Sequence, residues 1–169
     1  MSHQKVKTTW IALLLFSPLC IALPDDNREK MQLIAGTALL DQKTHRGIFK
    51  NGVEIDQGTT HVRASYAITE GNEKNQLIKA IIRGNQTAQA HYWTTPQANK
   101  PPLHAYADRI LYFPEQHRIE LVGHARIVQG EDSFSADKIN YDILHQHVRS
   151  ENANKSSTRI IIHTENLHE

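Results

Sequence analysis

The chain has 169 residues, with 19 Lys and Arg against 18 Asp and Glu, and a formal net charge of +1 at pH 7. That balance gives no electrostatic case for nucleic-acid binding, and a single cysteine provides no disulfide framework. The length is enough to bury one domain's core without such staples.

In chain order, Lys5 and Lys7 precede an apolar stretch over 10–16 that continues past Pro18 to Leu23. A basic region, a short apolar core and small residues at its exit have the order of a secretory signal. The stretch falls short of the roughly 20 residues a membrane-spanning helix needs, and Pro18 interrupts it. Residues 1–22 are therefore expected to be a cleaved signal peptide, with Cys20 and Ala22 before the cut. Residues 23–30 form an N-terminal segment, 31–165 the domain, and 166–169 a frayed tail. Cleavage removes Lys5, Lys7 and Cys20 but no acid, leaving a near-neutral exported chain without cysteine. The alternative is an uncleaved anchor over 10–23.

From Met31 onward, apolar residues alternate with polar ones, which predicts strands with one wet and one dry face. Val53 and Ile55, Val62 and Ala64, Ile119 and Leu121, Ala125 and Ile127, and Phe134 and Ala136 are such pairs. Leu77–Arg83 and residues 87–93 read as a hairpin closed at Gly84-Asn85, although Ile81-Ile82 could open a short helix. Residues 71–75 and 94–102 read as loops, and Ile160-Ile161-Ile162 as a last strand.

One pattern occurs twice. Ala107-Asp108-Arg109-Ile110-Leu111-Tyr112 resembles Ala136-Asp137-Lys138-Ile139-Asn140-Tyr141. Within each, the alternation changes phase at the Asp, which predicts a bulge or corner there. Each Asp is expected to bond nearby backbone amides. Residues 31–68 also lie over 103–140 without a gap at an offset of 72, with identities at Ala35/Ala107, His45/His117, Ile55/Ile127 and Gly58/Gly130. The Gln57-Gly58 and Gln129-Gly130 pairs fit tight hairpin ends. A duplicated strand–turn–strand unit indicates stacked β-structure rather than a catalytic centre.

Residues 103–141 contain the two Ala-Asp motifs and, between them, Gly123-His124-Ala125-Arg126-Ile127-Val128-Gln129-Gly130. In this succession they resemble the OstA-like domain of the LptA family of periplasmic lipopolysaccharide-transport proteins. The first half departs from the family pattern at Ala35-Gly36 and Ala64-Ser65. The resemblance implies an all-β fold, an antiparallel β-jelly roll that is partly open and twisted, with exposed edge strands at its ends. It implies no enzymatic activity. It also implies head-to-tail copies bridging an inner-membrane LptC-like and an outer-membrane LptD-like protein of the same fold type. Lipopolysaccharide would be carried with its lipid A acyl chains in the apolar interior. An LptC-like protein of the same pathway, anchored by its uncleaved N-terminal segment, is the alternative.

Alternation gives Met31, Leu33, Phe49, Val53, Ile55, Val62, Tyr112, Ile119, Leu121, Ile127, Phe134, Ile139 and Tyr141 as candidate lipid-lining residues. By resemblance, Met31, Leu33 and Tyr112 stand near groove-facing positions. Ala90, Ala105, Ala125 and Ala136 are small residues that either leave room for acyl chains or pack a tight core. Arg46, Lys50, Arg63, Arg118, Arg126 and Lys138 either meet lipid phosphates or form a solvated face. His145 and His147, two imidazoles on one strand face, give a weak metal alternative that lacks a completing ligand set.

Overall fold

The computed structural model describes residues 29–95, 99–153 and 156–163. The expected signal peptide and C-terminal tail lie outside these residues. Among the described residues twelve strands run in order: β1 Gln32–Ile34, β2 Thr37–Asp41, β3 Arg46–Gln57, β4 Thr60–Gly71, β5 Leu77–Arg83, β6 Ala90–Thr94, β7 Leu103–Ala107, β8 Arg109–Phe113, β9 Arg118–Gln129, β10 Asp132–Asp142, β11 His147–Glu151 and β12 Arg159–Ile161. A 3₁₀ turn, Pro114–Gln116, joins β8 to β9. All pairings between strands are antiparallel.

The four long strands β3, β4, β9 and β10 serve two layers at once. The start of β3 pairs with β2 and its end with β1. The start of β4 pairs with β6 and its end with β5. Likewise β9 pairs first with β8 and then β7, and β10 first with β12 and then β11. One layer therefore reads β2-β3-β4-β5-β8-β9-β10-β11, and the other β1-β3-β4-β6-β7-β9-β10-β12. Strands β4, β5, β8, β9, β7 and β6 close a pairing circuit between them.

The crease between the layers has a local cause. The β3/β4 register shifts between Lys50 and Val53, and the β9/β10 register between Ala136 and Lys138. At the first crease Asn51 and Gly52 have φ of 64° and 81°; at the second, Gly123 and His124 have 80° and 46°. Two consecutive left-handed residues swing the strand out of one layer into the other. Glycine takes this conformation without strain and asparagine tolerates it.

The offset of 72 holds from β1 to β4 and drops to 68 where β11 and β12 match β5 and β6. β3 superimposes on β9 and β2 on β8 at the larger offset, and the pairings within β1–β6 recur within β7–β12. The left-handed residues recur as His45/His117, Asn51/Gly123, Gly52/His124 and Gly58/Gly130. Backbone bonds recur as well: Gly36 N–H to Asn51 O matches Asp108 N–H to Gly123 O, and Gly71 N–H to His45 O matches Ile143 N–H to His117 O. Gly36 stands opposite Asp108 in the repeat because a Cβ there would lie 2.7 Å from the Asn51 carbonyl oxygen.

Both Asp corners form, with partners remote in sequence. The Asp108 carboxylate lies 2.8 Å from His124 Nδ1 and accepts from Gln89 Nε2. Asp137 accepts the Ala153 backbone N–H. The expected hairpin between Leu77–Arg83 and residues 87–93 does not form. β5 and β6 lie side by side in neither layer, and each extends a different half of β4. The chain crosses between layers at Gly84, whose Cβ would collide with the Ala88 carbonyl, and through a turn held by the Asn85 side chain.

Candidate functional site

Two rows of cross-strand neighbours run the length of the inner faces. In the β1-containing layer the row is Leu33, Ile55, Val62, Tyr92, Ala105, Ile127, Phe134 and Ile160. In the facing layer it is Leu40, Gly47, Thr69, Ala80, Tyr112, Ile119, Tyr141 and Val148. Beside the crease a further row, Phe49, Ala67, Ile82, Ile110, Leu121 and Ile139, is buried, with Phe49, Ile82 and Ile110 also bordering a cavity and Ala67, Leu121 and Ile139 packed solid.

The inner rows border two cavities, the first of them apolar and the second mixed. The first, of about 380 Å³, is lined by Leu33, Leu40, Phe49, Ile55, Val62, Ala80, Tyr92, Tyr112 and Ile119 among others, with Asp41, His45, Arg46 and Glu70 along its border. The second, of about 200 Å³, is lined by Leu103, Ile127, Phe134, Tyr141, Val148 and Ile160–Ile162 together with the polar Gln129, Asp132, Ser133 and Gln146. Of the residues expected from alternation, Met31, Leu33, Phe49, Ile55, Val62, Tyr112 and Ile119 line the first cavity. Ile127, Phe134 and Tyr141 line the second. Val53, Leu121 and Ile139 line neither: they are fully buried beside the crease, where the layers approach too closely to leave space. Ala90, Ala105, Ala125 and Ala136 are buried and line neither cavity, so they pack the core.

Tyr92 was not among those residues, although Ala90, Tyr92 and Thr94 alternate in phase with the other inward positions. Burial pushes the phenol well above its ordinary pKa, against a smaller opposing effect of the Thr60 and Thr94 hydroxyls. It therefore stays neutral inside an apolar space.

On the opposite surface, His61, Trp93, His91, His104 and Tyr106 stack across β4, β6 and β7. His91 Nε2 lies 3.0 Å from His104 Nδ1. Burial first, then His104 and Arg63, lowers the His91 pKa to about 4. Arg63 pairs with Asp56 and Glu54, Arg118 with Glu120, and Lys138 with Glu120 and Glu151, so these three cations belong to a solvated, ion-paired face. His145 sits in the turn before β11 rather than on a strand with His147, and its ring bonds Asp142. Among the described residues no three His, Cys, Asp or Glu side chains converge as a metal cage.

A twofold strand repeat, creased into two layers around an elongated apolar groove, describes a fold type that comparison with known proteins identifies. The family of the LptA/(LptD N-terminal domain) LPS transport protein matches residues 33–147. The chain belongs to this family. It is 30% identical over 142 residues to the lipopolysaccharide export system protein LptH of Pseudomonas aeruginosa, a match that spans 84% of this chain and 79% of that protein. The crystal structure of LptH, described as the LptA-homologous periplasmic component of the lipopolysaccharide transport device of that organism, has a TM-score of 0.76 to this fold. The match covers 83% of this chain and all of that one, at 24% identity. This LptA-family chain thus shares its fold with a solved lipopolysaccharide-transport component.

Proposed function

We propose that this chain is a non-enzymatic periplasmic carrier of lipopolysaccharide, a creased jelly roll that holds lipid A acyl chains in its groove. Its copies join head to tail into a bridge between inner-membrane LptC-like and outer-membrane LptD-like partners. Its N-terminal signal is cleaved near Leu23. Each acyl methylene taken out of water contributes about 0.8 kcal/mol. The groove supplies apolar walls for many of them without a charged residue in either inner row.

The observation that carries this reading is the joint between the two repeats. There β5 pairs with β8 and β6 with β7, joining the end of one unit to the start of the other. By the repeat, β11 and β12 are the counterparts of β5 and β6, while β2 and β1 are the counterparts of β8 and β7. Those four strands are the edges, each with one strand neighbour among the described residues. The edges are also where the large exposed apolar side chains gather: Ile34, Leu39 and Leu40 at one end, Val148, Ile160, Ile161 and Ile162 at the other. Unpaired edges of this kind invite a further strand. Copying the internal register sets Val148 against Leu40 of the next copy, and Ile160 against Leu33. Both inner rows then continue unbroken from one copy to the next.

The test is a cysteine pair, Leu40→Cys with Val148→Cys, oxidised in the purified protein. The expected result is a ladder of covalent oligomers that retain lipopolysaccharide. A monomer at every concentration, with no lipopolysaccharide retained, would overturn the reading. Sequencing the exported chain from its N-terminus separates the cleaved carrier from an anchored component.

A further inference from the structure

The outer face of the β2-containing layer differs between the two repeats. In the second repeat it is polar, as a solvated sheet face should be: Glu120, Asn140 and Arg149 are cross-strand neighbours on β9, β10 and β11. Their counterparts in the first repeat are Ile48, Ile68 and Ile81, neighbours on β3, β4 and β5. Leu39 of β2 and Leu111 of β8 extend these into a row of five aliphatic side chains. The row points away from the groove, because the residues next to it along each strand, Leu40, Gly47, Thr69, Ala80 and Tyr112, line the first cavity. Leu39 is 62% exposed and the other four are half-buried. A continuous aliphatic row on the wet side of a sheet adds nothing to the core behind it and marks a contact surface.

A second row runs beside it on the crease side: Lys50, Tyr66, Arg83 and Arg109, again one residue per strand. The three cations are exposed. Lys50 Nζ stands 6.0 Å from the Tyr66 ring centroid. Arg83 and Arg109 lie directly opposite each other across β5 and β8, a placement of like charges that lowers stability. Neither guanidinium makes an ion pair or hydrogen bond among the described residues. In the second repeat Glu151 stands where the first has Arg83, and it pairs with Lys138 at 3.2 Å. The seam between the repeats therefore carries positive charge that this chain leaves unanswered.

We propose that this face docks an amphipathic helix of another protein, one with an aliphatic stripe and acidic residues along one flank. The spacing of the row selects a helix. Five strands about 4.8 Å apart carry the row over about 19 Å. A helix laid along it repeats about every 5.4 Å, so it sets about one apolar side chain against each strand, and about 13 residues cover the row. An extended peptide places same-side residues about 6.8 Å apart and falls out of step. The acidic flank lies over Lys50, Arg83 and Arg109 and answers their charge. No such helix exists among the described residues, so a second copy of this chain does not supply it. An anionic bilayer is a poorer match, because it would also meet Asp41 and Glu70 on the other side of the aliphatic row.

The probe is a synthetic helix of about 13 residues, stapled on its outward face, with leucines along one stripe and glutamates along one flank. A matched helix carries lysines in place of the glutamates. Binding of each to the full chain is read by fluorescence anisotropy. The glutamate helix is expected to bind and the lysine helix to bind at least about tenfold more weakly. Reversing both arginines, Arg83→Glu with Arg109→Glu, should exchange that preference. Ile81→Ser should weaken the glutamate helix about tenfold, while Asn140→Ser, on the second repeat's outer face, should leave it unchanged. Because Arg83 and Arg109 are exposed, the charge reversal keeps the test intact even if Ile81→Ser folds poorly. A photoreactive amino acid at Ile48 should crosslink the glutamate helix, and one at Tyr112, which lines the groove, should not. Equal affinity for the two helices, a preference that survives the charge reversal, or crosslinking from Tyr112 alone would overturn the docking site. Lipopolysaccharide retention by these outer-face variants should match the parent, so the carrier reading stands or falls separately.

Discussion

The two repeats share every pairing and every left-handed turn, yet they enclose different spaces. In the inner row of the β2-containing layer, the first repeat places Leu40, Gly47, Thr69 and Ala80 where the second places Tyr112, Ile119, Tyr141 and Val148. Gly47 and Thr69 leave room in the first cavity, which Tyr112 and Ile119 also border, while Tyr141 and Val148 border the smaller second one. Beside the crease the exchange compensates instead. Phe49 faces Ala67 across β3 and β4, and Leu121 faces Ile139 across β9 and β10. One large and one small side chain in the first repeat take the place of two middling ones in the second. Backbone geometry is thus held constant at the crease by conserving volume, while chamber size is left free to vary away from it.

The largest effect is expected where that compensation is broken. Ile139→Ala copies Ala67 without its bulky partner and should cost about 2–5 kcal/mol in a chemical-denaturation midpoint analysis. Adding Leu121→Phe restores the first repeat's pair and should recover a substantial part of the loss; no recovery would mean the two creases are not packed alike. Next comes the crease backbone. Gly123→Ala forces a left-handed alanine, costing about 1–2 kcal/mol, and its Cβ would also collide with the Asp108 carboxylate. Gly52→Ala has a similar φ but nothing within 4 Å of the new Cβ, so its loss should be the smaller of the two.

The seam between the repeats should respond to acid in one layer and not the other. His91 and His104 face each other across β6 and β7, whereas the β5–β8 pairing contains no histidine. Because the His91 pKa falls to about 4 in the fold, the unfolded chain binds the extra proton more readily between that value and 6.5. Stability from this group is therefore complete above pH 6.5 and is lost as the pH drops toward 4. Melting temperatures recorded from pH 7 to 5 should fall less steeply in His91→Gln; identical slopes would remove His91 as the cause. The smallest effect on the isolated chain is expected at the edges. Leu40→Lys should change monomer stability by no more than about 0.5 kcal/mol, since Leu40 is 68% exposed. It should nevertheless abolish concentration-dependent association in light scattering.

The duplication was readable in the sequence because its markers are backbone requirements. Gly58 and Gly130, and the phase change at Asp108 and Asp137, announce geometry regardless of what surrounds them. The alternation also identified ten of the cavity-lining side chains, since it reports which way a residue points. It does not report how far apart the facing layers stand. Val53, Leu121 and Ile139 point inward as Ile55 and Ile119 do, but at the crease there is no gap for them to border. Nor does alternation say which of two layers a strand joins. Leu77–Arg83 and the strand after it look like consecutive arms of a hairpin, and only the division of β4 between two partners sends them apart. Leu39-Leu40 and Ile160-Ile161-Ile162 give no alternation to read, because each stands on an edge with its neighbour missing.

Each layer holds eight strands, and neighbouring strands in any sheet stand about 4.8 Å apart, so one copy contributes about 38 Å of length. If the edges join in the register of the internal seam, reach is added in whole units of that size. Such a structure is a ruler with a coarse graduation: a compartment whose width changes must add or drop an entire segment, because no fraction of one presents the right edges.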